Sequence, residues 1–100
     1  SKVEKESNMG EDNSNESLNE AIRKLEELNK RTHDIIQDIN NGEITKKTDR
    51  AVRIHMIINE FKTIDENYQD LKSNSLTREL YLEFLNSTWD TIKNIPEIVK

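Results

Sequence analysis

The side chains of this chain best suited to moving protons or phosphoryl groups are His33 and His55, because imidazole titrates near neutral pH without help. Helical phosphotransfer domains present an exposed histidine closely followed by Lys and Gly, and neither Thr32-His33-Asp34-Ile35 nor Ile54-His55-Met56-Ile57 supplies those neighbours. A di-iron bundle site needs Glu-x-x-His on two helices, yet Lys30 and Val52 stand three residues ahead of the two histidines. Cysteine is absent, which removes thiolate metal sites, disulfides and cysteine nucleophiles. Gly10 and Gly42 alone cannot build a glycine-rich phosphate loop. The carboxylates fall on polar faces, where no apolar surroundings would raise a catalytic pKa. The sequence therefore predicts no catalytic, cofactor-binding or metal-binding residue, and histidine phosphotransfer is the enzymatic alternative that His33 or His55 would carry.

Helices must position whatever these residues do. Two Gly and one Pro in 100 residues are too few for an all-β fold, which turns about every ten residues. Ser17-Leu18-Asn19-Glu20 matches a capping box and predicts the start of the first helix. Leu18, Leu25 and Ile39 then share one line, flanked by Ala21, Leu28 and Ile35 on one side and Ile22 and Ile36 on the other. Thr32 interrupts that line and Asn29 a flank, as polar positions that fix register do. Asn40-Asn41-Gly42 tolerates left-handed backbone and predicts a stop near Asn41.

A second helix is expected from about Thr45 to Lys72, with Ile54, Phe61 and Tyr68 at its centre. Ala51 and Ile58 flank it on one side, Ile57, Ile64 and Leu71 on the other. Ser73-Asn74-Ser75 breaks the pattern, and a third helix runs from near Leu76 to before Pro96. Its central line is Leu85, Ile92 and Val99, with Tyr81 and Ile95 on one flank and Leu82 and Trp89 on the other. Connections of a few residues make neighbouring helices antiparallel. The expected fold is all-α: an antiparallel three-helix bundle over residues 18–100, a long helical hairpin plus a third helix, preceded by a disordered acidic and polar tail over residues 1–17.

The formal charge of −5 argues against nucleic acid, which is bound through a basic face. Residues 1–17 carry −3 of it, from Glu4, Glu6, Glu11, Asp12 and Glu16 against Lys2 and Lys5, and the remainder carries −2. Lys46, Lys47, Arg50 and Arg53 crowd the first turns of the second helix, the unfavourable end of its dipole, and Glu43, Asp49, Asp34 and Asp38 are expected to offset them. No apolar run is long enough to cross a bilayer, so no membrane insertion by this segment is expected.

The third helix carries apolar residues almost all round. Leu76 and Leu80 are expected to close the bundle end over the hairpin. Leu80 with Phe84, or Leu82 with Trp89, would then remain partly exposed as anchors for a protein partner or for self-association, with Glu79, Glu83 and Asp90 as a polar rim. Asn15-Glu16-Ser17 and Asn86-Ser87-Thr88 match the glycosylation pattern by chance in an Asn-rich chain. The polar Ser-, Asn- and Glu-rich start resembles in composition a tether behind a lipid anchor upstream of Ser1, and abundant Ile, Asn and Lys suit an AT-rich bacterial genome. The expected function is a non-catalytic helical interaction domain, extracytoplasmic and tethered like a bacterial surface lipoprotein, that binds or occludes a protein partner. The alternatives are a cytoplasmic regulatory or scaffold domain and a homodimerisation module.

Overall fold

A computed structural model describes residues 9–71 and 73–96, with side chains from Asn15 onward. The chain forms a three-helix bundle: α1 (Met9–Asn40), α2 (Lys47–Tyr68) and α3 (Ser75–Lys93). Among the described residues there is no strand. The molecule is a rod of 58 × 19 × 18 Å, so the helices lie lengthwise, as their seven-residue stripes require. Lys24 reaches Tyr68 and Arg31 reaches Glu60, so α2 runs antiparallel to α1. Asn15 reaches Asn74 and Leu25 reaches Thr88, so α3 runs parallel to α1. The topology is up-down-up. α1 packs extensively on both neighbours, whereas α2 and α3 touch at few points.

The helix ends follow from local chemistry. At the end of α1 the Glu43 amide donates to the Asp38 carbonyl at 2.8 Å and the Gly42 amide to the Ile39 carbonyl at 3.2 Å, with Gly42 at φ +77°. This is a Schellman closure, in which glycine takes the left-handed position without a Cβ penalty. Ile44 follows at once and is buried, folding the connection back onto the hairpin. Asn74 caps α3, its Oδ1 accepting from the Thr77 amide at 2.8 Å. The Arg78 guanidinium donates to the carbonyls of Leu71 at 3.0 Å and Gln69 at 2.6 Å, satisfying acceptors just beyond α2. α3 stops at Lys93, ahead of Pro96.

The core holds Leu18, Ala21, Leu25 and Leu28 of α1, Ile54, Ile57 and Ile64 of α2, and Tyr81 and Ile92 of α3, with Ile95 just beyond it. Several expectations need correction. α1 begins at Met9, ahead of the Ser17 capping box at which the first helix was expected to start. Asn15 is tied to the start of α3 by accepting from the Asn74 amide at 3.2 Å. Residues 1–8 of the expected tail lie outside the described residues, as does Val99.

α2 ends at Tyr68 rather than near Lys72, itself outside the described residues. Its buried line falls on Ile57 and Ile64 with Ile54, and Phe61 and Tyr68 pack at the margin. Ala51, expected as a buried flank, is exposed, because α3 ends opposite the middle of the hairpin and does not reach it. In α3 the buried line is Tyr81, Thr88 and Ile95; of the expected central line, Ile92 is buried beside it and Leu85 is half-buried. Thr32 is buried as the seam position expected, but its hydroxyl donates to the Leu28 carbonyl of its own helix at 2.7 Å. Thr88 instead crosses between helices, its Oγ1 donating to the Leu25 carbonyl at 3.3 Å.

Candidate interaction surface

α3 turns a core face toward α1, so its remaining apolar residues are left at its two edges. Leu76 and Leu80 do not close the bundle end: they are 68% and 39% exposed. Leu80 and the half-buried Phe84 lie four residues apart on one edge, where with Glu83 and Ser87 they line a shallow depression of about 240 Å³. Leu82 and Trp89, 42% and 37% exposed, lie on the other edge, the one facing α2. At 100° per residue the Leu80 and Leu82 directions are about 160° apart, so no single flat partner covers both. The structure thus divides the sequence-predicted anchors into two separate pairs. Glu79, Glu83 and Asp90 are exposed on the outward face between them, and Asp90 takes an ion pair from Lys93 at 3.4 Å.

Trp89 is held in place. Its ring lies 5.2 Å from that of Phe61, tilted by 33°, which bridges the thin contact between α2 and α3 with two large side chains. An anchor already ordered in this way loses little entropy on binding.

The α1–α2 seam carries a second concave surface, which sequence reasoning missed. A groove of about 470 Å³ is floored by Ile35, Met56 and Ile57 and rimmed by Arg31, Asp34, Asp38, Arg53 and Glu60. Arg31 and Glu60 close over it as a two-armed ion pair, Nη1 donating to Oε1 at 3.0 Å and Nη2 to Oε2. That bond holds the Arg31 guanidinium above its ordinary pKa. Beyond it, about 400 Å³ of groove continues past Lys24, Glu27, Asn59 and Thr63 to Ile64. The signal was in the pattern: Arg31 and Glu60 sit on the outer margins of the stripes formed by Leu28 with Ile35 and by Ile57 with Ile64. Arg53, of the basic group at the start of α2, lines the groove together with Asp34 and Asp38.

His33 and His55 are both exposed, on different helices. Among the described residues no three His, Cys, Asp or Glu converge into a metal-holding group, and no described helix is long and apolar enough to cross a membrane. Among the described residues, the buried Asn29 Oδ1 and Tyr81 hydroxyl have no hydrogen-bond partner. Burial pushes the Tyr81 phenol up to about 12, with the Asp65 carboxylate adding to the effect and Arg78 opposing it. No known protein family, curated protein or solved structure matches the chain.

Proposed function

We propose that this chain is a non-catalytic helical protein-interaction domain that presents α3 to a protein partner, tethered at a bacterial cell surface through the polar segment ahead of α1. The observation that carries the reading is where apolar surface is left uncovered. Among the described residues, four of the six exposed large hydrophobics, Leu76, Leu80, Leu82 and Trp89, belong to α3, the other two being Val52 and Met56 on α2. Exposed apolar residues clustered on one helix and rimmed by carboxylates are the pattern of a binding face, with the apolar groups anchoring and the charges steering the encounter. The Leu76, Leu80 and Phe84 edge is the partner-facing side of this reading, since Leu80 and Phe84 line a depression there with Glu83 and Ser87. The polar composition of residues 1–8, ahead of α1, supports the tether, and the Ile, Asn and Lys content supports the bacterial source.

A photo-crosslinking residue at position 80, expressed in the source cells, should give one discrete heteromeric adduct that the same group at exposed Glu26 of α1 does not give. Equal labelling from both positions, or none from either, overturns the reading. Protease added to intact cells should cleave the protein, and protection would remove the surface location.

A further inference from the structure

We infer that the Leu82 and Trp89 edge of α3 is the contact surface for a second copy of this chain, which pairs through it antiparallel about a two-fold axis at Asn86. Glu79, Leu82, Asn86, Trp89 and Lys93 follow one another at spacings of three and four residues, the repeat of a helix-pairing seam, and every one of them is exposed. Within the bundle this seam has little partner: α2 and α3 touch at few points, and Trp89 meets the Phe61 ring at its edge.

The chemistry of the stripe reverses about its midpoint. Glu79 stands seven residues before Asn86 and Lys93 seven after; Leu82 stands four before and Trp89 three after. A copy laid alongside in the opposite direction brings its Lys93 to the level of Glu79, its Trp89 to the level of Leu82 and its Asn86 to Asn86. Each acidic end then meets a basic end, apolar meets apolar, and the central amide meets its own equivalent. A parallel copy would oppose Glu79 to Glu79 and Lys93 to Lys93, so the charges select direction. A two-fold pairing of this kind uses the same patch on both molecules and closes at two.

One 19-residue helix offers less area than a standard stable interface, so the affinity expected is on the order of micromolar.

The pairing stands on this stripe alone and not on the partner edge at Leu80. Sedimentation equilibrium of the full chain from micromolar to millimolar concentration should show monomer and dimer, with the dissociation constant raised about tenfold or more by Trp89→Ala. Glu79→Lys and Lys93→Glu should each weaken the dimer, and the two together in one chain should restore it, which a folding defect would not do. The chain has no cysteine, so Asn86→Cys introduces a lone thiol. Under mild oxidation it should form a disulfide-linked dimer, whereas Glu79→Cys should not, its equivalents lying about 20 Å apart. A monomer at all concentrations, linkage through position 79, or no linkage through position 86 overturns the pairing. Each leaves the crosslinking result at position 80 untouched.

Discussion

α1 meets its two neighbours through seams of different chemistry. Toward α2 the buried residues of that helix are aliphatic, Ile54, Ile57 and Ile64, and at the surface Arg31 meets Glu60 and Lys24 Nζ donates to the Tyr68 hydroxyl at 3.2 Å. Toward α3 the buried line itself is part polar: Tyr81, Thr88 and Thr91 sit among Ile92 and Ile95. α3 buries hydroxyls and leaves leucines outside. The comparison teaches that α2 is held through aliphatic burial, whereas α3 combines the burial of Tyr81, Ile92 and Ile95 with hydroxyls, one of them crossing to the Leu25 carbonyl, and keeps Leu76, Leu80 and Leu82 at its edges.

The sharpest way to break that comparison is at the residue both seams share. Leu25 is fully buried, so Leu25→Ala should cost about 3–5 kcal/mol, read by urea unfolding as a lower midpoint at unchanged slope. A separate early transition for α3 would show that the seams unfold independently. Thr88→Val keeps the shape and removes the bond to Leu25, whose carbonyl also lies within the helix ladder, and should cost about 1 kcal/mol or less. A loss as large as that of Leu25→Ala would make the hydroxyl, not packing, the lock on α3.

Much of this division was legible in the residues. Leu18, Ala21, Leu25 and Leu28 announced the α1 face by spacing alone, and Asn41-Gly42 announced the turn because few residues tolerate the backbone geometry found there. The start of α1 was not legible: a capping box is a local preference, and the contact of Asn15 with Asn74 is made 59 residues away in sequence. The rotation of α3 was hidden because leucines and an isoleucine surround that helix, so apolar periodicity could not choose among faces. Threonines at 88 and 91 lay on the chosen face and weighed against it in any hydrophobic count. The two pairs of anchor residues could be named from the sequence, but their separation onto opposite edges follows from that rotation.

Tyr81 sharpens the contrast from inside the polar seam. Its hydroxyl is buried without a partner, so Tyr81→Phe should leave stability unchanged or raise it by up to about 1 kcal/mol. The phenol titrates at about 12 in the folded chain, against about 10 when unfolded. The folded state therefore keeps this proton longer than the unfolded state does. The stability this confers is complete below pH of about 10 and drains away as pH rises toward 12. Alkaline unfolding followed by circular dichroism should show that decline in the wild type and a shallower one in Tyr81→Phe, with the late phenolate absorbance lost. Equal slopes would place the hydroxyl in contact with water.

The smallest effect belongs to the surface of the aliphatic seam. Arg31 and Glu60 make a two-armed pair across 29 residues, yet both side chains are well exposed, so water screens most of their attraction. A double-mutant cycle with Arg31→Ala and Glu60→Ala should give a coupling of about 0.5 kcal/mol, falling further in molar salt. The pair fixes which turn of α2 faces which turn of α1 more than it adds to stability, because a one-turn slip would leave Ile57 and Ile64 facing the wrong positions as well. If the coupling instead exceeded that of the buried Thr88 bond, the hairpin would be the electrostatically held half of the molecule, and the contrast between the two seams would be reversed.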